Sequence, residues 1–342
     1  MQNNLTPLLS RSTIILLLFV LGFYPEANAQ SKVYPTEITV DKNGKGNFTI
    51  IQEAVNSIRD LGEVQVKIFI KNGTYQEKIF IPSWKTKIAL IGESKEHTII
   101  TFDDFSGRMN PKKDALGLDK INTYTSFTVL VQADDVSLEN ITIANSAGRV
   151  GQAVALHVEG DRFVAKNCNI LGNQDTLFPA TENSRQFYTN CYIEGTTDFI
   201  FGKATAVFEN CTIKSLTNSY ITAAATSQRQ KFGFVFLNCK LIAADGVDKV
   251  YLGRPWRPYA KTVFLNADLG AHIIAEGWNA WKGDVMFPDK EQTAFYAEYK
   301  NIGAGANPKS RVKWSRQLTD KEAKHYTIEN ILKGADEWDP TK

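Results

Sequence analysis

The segment FVAKNCNI, residues 163–170, contains the pattern that decides the fold. Mostly apolar residues stand two and four positions before Asn167, and again one and three positions after it. Five more segments repeat this pattern around an asparagine: VSLENITI (136–143), QFYTNCYI (186–193), AVFENCTI (206–213), FVFLNCKL (234–241) and TVFLNADL (262–269). The asparagines recur every 20 to 28 residues. Strands that repeat at such a period indicate a solenoid.

Apolar residues at every second position are typical of a strand with one buried face. The parity of the apolar positions changes at each asparagine. One strand must therefore end there, and a second must begin after a corner of about one residue. Asparagine tolerates the left-handed backbone conformation that such a corner requires. We predict an all-β fold, a parallel β-helix, because a helical solenoid would show an apolar period of 3.6 residues instead.

Both ends of the solenoid are predicted to carry helical segments. Residues 49–61 have the apolar spacing of a helix, and Thr49 with Gln52 matches a capping box. We expect this short amphipathic helix to plug the open N-terminal end, which otherwise exposes strand edges. Residues 318–333 are also predicted to be helical and to pack alongside. Further strands are expected at 64–70, 87–91, 98–102 and 126–131.

The composition is that of an ordinary globular protein. Of the 342 residues, 43% are hydrophobic and 22% are charged. The formal net charge is +2. Because the chain also lacks a basic tract of the kind that follows phosphates, we expect no nucleic acid as partner.

Residues 1–29 have the pattern of a secretory signal peptide. Arg11 precedes an apolar run at 14–21, and Ala27-Asn28-Ala29 matches an A-x-A cleavage site. The alternative is a membrane anchor, but the run is shorter than the roughly 20 residues that a bilayer span needs. We therefore predict an exported protein, periplasmic or extracellular and not held in a membrane, with residues 30–342 as its single domain.

Four cysteines each follow the asparagine of a repeat: Cys168, Cys191, Cys211 and Cys239. They occupy the position that Ile141 and Ala267 fill in other copies, which favours a stack of small buried side chains. Disulfides between stacked coils are the alternative, since an even number of cysteines in an exported protein suggests them. No histidine accompanies them in the repeat, so a metal site is not expected.

Two aspartates share one position in consecutive repeats. Asp175 and Asp198 each stand eight residues after the asparagine, within Gly-x-x-Asp-x-x-Phe motifs at 172–178 and 195–201. Stacked strands lie about 4.8 Å apart, so the carboxyl groups should point the same way, one coil apart. Like charges this close raise one pKa, which suits acid and base or nucleophile roles. The alternative is that both are ordinary turn residues facing solvent.

The segment YLGRPWRPY, residues 251–259, contains a cation and an aromatic ring that could lie beside the two aspartates. Arg254 could supply a fixed guanidinium that keeps one aspartate ionised, and Trp256 could offer a flat face to a sugar; the alternative is a structural loop. The chain has no Gly-x-Ser-x-Gly elbow, no HExxH, no P-loop and no dinucleotide fingerprint. The chemistry is therefore assigned to carboxylates.

Five motifs stand in order along the chain: GTYQE (73–77), QAVAL (152–156), QDTLF (174–178), DFIFG (198–202) and LGRPW (252–256). Together they resemble the pectin methylesterases, the pectinesterase family of plants and of plant-degrading microbes. The match extends from about Tyr34 to about Leu332, nearly the whole mature chain. This resemblance implies a right-handed single-stranded parallel β-helix, in agreement with the repeats.

The resemblance also implies which residues react. Asp198 matches the nucleophile that attacks the C6 methyl-ester carbonyl of a galacturonate unit in pectin. Asp175 matches the acid that protonates departing methanol and then the base that activates water. The other matching positions are Gln152 and Gln174 as oxyanion donors, Arg254 as the partner that orients Asp198, and Trp256, Phe178 and Phe201 as sugar contacts.

No metal ion or cofactor is implied, and we expect a monomer. Because Tyr34 follows the signal peptide without an inhibitory pro-domain, and because of the A-x-A site, we expect a bacterial enzyme. Two other functions stay open. A polygalacturonase or pectate lyase would act on the same polymer, and inverting glycosidases leave roughly 6.5–9.5 Å between their carboxyl groups. A non-catalytic polysaccharide-binding solenoid would not need Gln152, Gln174 and Arg254 beside the aspartates.

Overall fold

Three parallel sheets, here called A, B and C, wind into a right-handed parallel β-helix, which confirms the predicted fold class. The computed structural model describes residues 34–110, 113 and 117–342. The predicted signal peptide, residues 1–29, lies outside the described residues. Each full coil of the β-helix supplies one strand to sheet A, then one to sheet B, then one to sheet C.

The strands of each sheet stack in chain order and pair in parallel. Sheet A contains Glu37–Val40, Val66–Ile70, Ile88–Gly92, Ser137–Glu139, Phe163–Lys166, Arg185–Thr189, Thr205–Glu209, Phe234–Leu237, Lys261–Leu265, Phe295–Tyr299 and Arg316–Gln317. Sheet B contains Gly73–Gln76, Thr98–Phe102, Thr142–Asn145, Asn169–Leu171, Tyr192–Gly195, Thr212–Ser215, Lys240–Ala243 and Asp268–Leu269. Sheet C contains Ile79–Ile81, Val129–Val131, Leu156–Val158, Leu177–Pro179, Ile200–Gly202, Tyr220–Ala224 and Tyr251–Gly253.

In the six coils that carry the repeat, the corner between sheets A and B is one residue in the left-handed conformation, as predicted. The six asparagines of the repeats, Asn140, Asn167, Asn190, Asn210, Asn238 and Asn266, have φ angles between 52° and 55°. The next coil turns at Lys300, with φ 47°. The sequence pattern missed this corner because lysine is not a residue that favours it.

Stacks of like side chains fill the interior. The four cysteines are buried free thiols, in line with Ile141 and Ala267, which are also fully buried. Each thiol can donate to a carbonyl of the preceding coil, as Cys191 does to the Ala165 oxygen at 3.4 Å. The prediction of buried thiols is confirmed, and the disulfide alternative is wrong.

A short helix, Ile51–Ser57, covers the N-terminal end of the core. The predicted capping box is wrong, because Ile50 is the N-cap and its side chain makes no capping hydrogen bond. Glu77 replaces it: its carboxylate accepts from the backbone N–H groups of Ile51 at 2.9 Å and Gln52 at 3.0 Å. The carboxylate thus satisfies two free donors at the positive end of the helix.

The C-terminal region packs on the outer face of sheet A, where Leu318, Ile331 and Leu332 join an apolar cluster with residues of its strands. Residues 318–333 form two helices, Asp320–Ala323 and Ile328–Leu332, rather than one. Short 3₁₀ helices occur at Thr123–Thr125, Lys290–Gln292 and Pro308–Ser310.

Two early strands are shorter than predicted. The strand expected at 64–70 begins at Val66, since Val64 is exposed, and the strand expected at 126–131 begins at Val129. In the part of the chain that the structure describes, no helix is both long and apolar enough to cross a membrane.

Candidate active site

The two aspartates stand at one register, as predicted. In sheet C, Leu177 pairs with Ile200, and each lies two residues after an aspartate. The backbone N–H of Asp175 donates to the carbonyl of Thr197 at 3.1 Å, which fixes one coil against the next. Asp175 and Asp198 adopt left-handed φ angles of 66° and 48°. They are 8% and 6% exposed and line the same cleft.

The glycine of each Gly-x-x-Asp motif makes room for the residue four positions on. A Cβ at Gly195 would lie 2.2 Å from the Cβ of Phe199, and one at Gly172 would lie 2.7 Å from the Oγ1 of Thr176. Phe199 and Thr176 are fully buried. The close turn therefore sends these side chains inward and leaves the preceding aspartates at the edge of sheet C.

Arg254 holds Asp198 through a bidentate ion pair. Its Nε and Nη2 donate to Oδ1 and Oδ2 of Asp198 at 2.9 Å and 2.6 Å. The guanidinium lies between two rings, with its central carbon 3.9 Å from the Tyr220 centroid and 3.6 Å from that of Trp281. Such a planar fork fixes a carboxylate in one orientation. Sequence reasoning identified Arg254 but missed Tyr220 and Trp281, because neither belongs to a recognised motif.

The surroundings of the two carboxyl groups give them different pKa values. Burial and the neighbouring Asp198 carboxylate raise the pKa of Asp175 well above its usual value, and Arg254 offsets this only in part. Burial also raises the pKa of Asp198, but the hydrogen bonds from Arg254 oppose that rise. Asp198 is therefore the group that ionises first, and Asp175 is the group that retains a proton.

Gln152 and Gln174 bring two carboxamides to the cleft from successive coils. Their backbones form a parallel bridge, and both side chains line the cleft with the aspartates. Neither carboxamide forms a hydrogen bond with another residue that the structure describes. Both N–H₂ groups are therefore available to an oxygen atom of a ligand.

Aromatic rings form the floor and walls of this cleft, which has a volume of about 260 Å³. Phe201 and Trp256 line it, and Phe178 stacks beneath on Phe201 with a centroid distance of 4.3 Å. Tyr124 adds a half-exposed wall that sequence reasoning missed. The structure thus brings together all eight predicted residues, with Phe178 as a support for Phe201. Their contacts with a sugar stay predictions.

Among the described residues, no group of three or more His, Cys, Asp or Glu side chains could hold a metal ion. The arrangement consists of one fixed carboxylate, one protonated carboxyl and two amide donors over aromatic rings. It can attack an electron-poor carbon, protonate a leaving group and stabilise an oxyanion. These are the parts of a carboxylate-based hydrolase.

Comparison with known proteins also indicates a hydrolase. A family model described as Pectinesterase matches residues 37–335. Pectinesterase QRT1 of Arabidopsis thaliana is 35% identical over 313 residues, covering 88% of this chain and 78% of the relative. Pectinesterase 31 of the same plant is 34% identical over 297 residues, covering 86% and 92%. Another Arabidopsis relative, whose name joins pectinesterase with pectinesterase inhibitor, is longer: the match covers 52% of it.

Solved structures give the same answer. The pectin methylesterase from carrot has a TM-score of 0.78 at 31% identity, covering 90% of this chain and 95% of that one. Pectin methylesterase PemA from Erwinia chrysanthemi has a TM-score of 0.75 at 32% identity, covering 91% and 99%. A pectin methylesterase in complex with a hexasaccharide has a TM-score of 0.74 at 32% identity, covering 89% and 98%. The chain belongs to the pectinesterase family.

Proposed function

We propose that this protein is a pectin methylesterase, which hydrolyses the C6 methyl ester of galacturonate units in pectin and releases methanol. The observation that carries the proposal is the pairing of Asp198, held by Arg254, with Asp175, whose pKa is raised, in one cleft. Membership of the pectinesterase family removes the support for a polygalacturonase, a pectate lyase or a non-catalytic solenoid.

The reaction runs in two steps. First, an oxygen of Asp198 bonds to the ester carbonyl carbon, and Gln152 and Gln174 donate to the resulting oxyanion. The bond from that carbon to the methoxy oxygen breaks, and Asp175 gives its proton to the departing methanol. Second, Asp175 takes a proton from water, which attacks the anhydride between substrate and Asp198. This releases galacturonate and restores both aspartates.

The test is methanol release from methyl-esterified polygalacturonate by the wild type and by Asp198→Ala. We expect the variant to lose activity by about 10⁴-fold or more, as nucleophile removal does in other covalent hydrolases. Asp245→Ala changes an exposed aspartate outside the cleft and serves as the matched control. A wild type that shortens the polymer without releasing methanol would overturn the esterase assignment. An Asp198→Ala variant with full activity would overturn the role of Asp198.

Export is part of the same proposal. The apolar run and the A-x-A site support a signal peptide at residues 1–29 and delivery to the periplasm or the medium. A monomer and a bacterial source are further parts of the proposal. The mature chain would then begin at Gln30. Mass spectrometry of the exported protein checks this, and a protein that retains residues 1–29 after export would contradict it.

A further inference from the structure

A buried lysine that has no part in the proposed reaction lies close to the candidate active site. Lys290 begins the 3₁₀ helix Lys290–Gln292, and its side chain is fully buried. Lysine is almost never fully buried unless it is paired, because its charge loses its hydration. Among the described residues its one salt bridge joins Nζ to Oδ2 of Asp284 at 2.6 Å. Asp284 is partly exposed, so this pair alone does not require the lysine to lie inside the protein.

The Lys290 ammonium group contacts two tryptophans of the cleft. Its Nζ lies 4.4 Å from the ring centroid of Trp281 and donates to the Trp256 carbonyl at 3.4 Å. The same Trp281 ring contacts the Arg254 guanidinium, whose central carbon lies 3.6 Å from its centroid. Arg254 in turn donates to both carboxylate oxygens of Asp198. Because cations are attracted to the face of an aromatic ring, Lys290 is connected through one ring to the arginine that orients the candidate nucleophile.

The charge on Lys290 also acts on Asp198. Burial raises the pKa of Asp198, and the hydrogen bonds from Arg254, the charge of Arg254 and the charge of Lys290 oppose that rise. Burial lowers the pKa of Lys290, and the hydrogen bond with Asp284 opposes that fall. The ion pair with Asp284 therefore favours the charged form of the lysine. The groups that interact electrostatically with Asp198 or with Lys290 are Arg254, Arg257, Asp284, Asp175 and Tyr296.

We propose that Lys290 is a positioning residue of the candidate active site: its ammonium group fixes the Trp281 ring against Arg254 and adds a second positive charge that favours the Asp198 carboxylate. This rests on the proposed function, in which Asp198 must be ionised to attack the ester. A buried carboxyl group tends to stay protonated, and a second cation opposes that tendency without contacting the substrate. Lys290 thus acts through Trp281 and through its charge.

The experiment measures kcat/KM for methanol release across pH in the wild type, Lys290→Met and Asp284→Asn. Both variants break the same ion pair, but only Lys290→Met removes the cation. Since attack requires the Asp198 carboxylate, the pKa of Asp198 sets the acidic limb of the profile. We expect Lys290→Met to move this limb to higher pH by about 0.5–1 pH unit, less than the roughly 1–3 that a directly paired cation produces. Asp284→Asn should leave the limb in place or move it to lower pH, whatever its effect on the maximal rate, because the cation remains and an anion is lost.

The matched control is Lys282→Met, which removes an exposed lysine of the same segment that pairs with Asp289 at 3.1 Å. Its acidic limb should stay that of the wild type. Equal shifts in Lys290→Met and Asp284→Asn would overturn the proposal, because the lost ion pair and not the lost charge would then explain them. An unshifted limb in Lys290→Met would overturn it as well.

Carbon-13 NMR titration of the Asp198 carboxyl group, assigned with Asp198→Asn, measures its pKa without turnover. This pKa should be higher in Lys290→Met than in the wild type and in Lys282→Met. If the wild type releases no methanol but the rise appears, the proposed function fails and the role of Lys290 stands. If methanol is released and the pKa is the same in all three proteins, the role of Lys290 fails alone. Should Lys290→Met not fold, Lys290→Gln, which keeps a polar group without the charge, gives the same comparison.

Discussion

Asp175 and Asp198 each combine two features that are energetically unfavourable for the fold. Each residue has a left-handed φ, and each buries a carboxyl group. Aspartate tolerates this backbone conformation better than most residues, but residues held in sparsely populated conformations still cost roughly 1–3 kcal/mol and cluster at functional sites. Only Asp198 receives a compensating ion pair. The uncompensated cost therefore falls on Asp175, whose role requires a proton at the start of the reaction.

This cost leads to a stability prediction for Asp175→Asn. The pKa of Asp175 in the fold is raised above its unfolded value of about 3.9. Its contribution to stability is therefore complete below pH 4 and is lost as the pH rises through the folded pKa. Asparagine avoids that loss, so we expect the variant to be more stable than the wild type at pH 7, by about 1 kcal/mol, and inactive.

Urea unfolding of both proteins at pH 7 and at pH 3.5 measures the difference. The difference should be largest at pH 7 and shrink at pH 3.5, where the aspartate is protonated in the folded state and mostly protonated in the unfolded state. A variant that is less stable than the wild type at pH 7, or a difference that grows on acidification, would show that the buried Asp175 carboxyl group does not destabilise the fold at neutral pH.

At the scale of the elements, the corners between sheets A and B decide how the strands are spaced. Six of these corners use asparagine, and the corner after Phe295–Tyr299 uses Lys300 in the same conformation. An alanine at such a position costs about 1 kcal/mol or slightly more, because its Cβ approaches the following carbonyl oxygen. Asn210 is exposed, so its replacement tests the backbone preference with little loss of side-chain contacts.

We therefore expect Asn210→Ala to lower the free energy of unfolding by about 1 kcal/mol, and Asn210→Gly to change it less. Lys300→Asn should act in the opposite direction and raise the thermal midpoint, since it introduces the preferred residue at the seventh corner. Differential scanning calorimetry on the three variants gives the comparison. If Asn210→Ala and Asn210→Gly were equally stable, or if Lys300→Asn were destabilising, the left-handed backbone would not explain the preference for asparagine at these corners.

The sequence predicts some elements better than others. Features set by neighbouring residues can be predicted, whereas features set by residues far apart in the sequence cannot. The asparagine corners could be predicted because a single residue satisfies a local backbone requirement. The cap of the N-terminal helix could not: Glu77 lies 26 residues after Ile51, and the β-helix brings them together. Thr49 and Gln52 satisfied the local pattern, but a carboxylate from the first full coil supplied the hydrogen bonds instead.

At the scale of the whole molecule, the candidate active site also combines features that the repeats predict with contacts that only the fold creates. The register of the aspartates could be predicted, since stacked coils convert equal offsets into spatial neighbours. The rings around Arg254 could not, because Trp281 lies after the last strand of sheet C, in a segment without the repeat.

The C-terminal region offers a test of how far the site depends on the rest of the molecule. Leu332 is fully buried in the apolar cluster on the outer face of sheet A. Arg185 of that sheet donates to the Leu332 carbonyl at 3.0 Å and bonds Asp336 at 2.6 Å. The candidate active site is formed at sheet C, by residues that do not belong to this cluster.

Leu332→Ala should therefore lower the free energy of unfolding by about 2–4 kcal/mol, the cost of a buried cavity, while kcat/KM for methanol release stays within about twofold of wild type at 25 °C. Urea unfolding and limited proteolysis measure the first effect, and cleavage should concentrate between residues 318 and 342, since locally destabilised segments open first. Lys324→Ala, an exposed position in the same region, is the control. If Leu332→Ala lowered kcat/KM in proportion to its stability at a temperature where it is folded, the C-terminal region would be coupled to the aspartate pair, and the coils would not act as a rigid support between them.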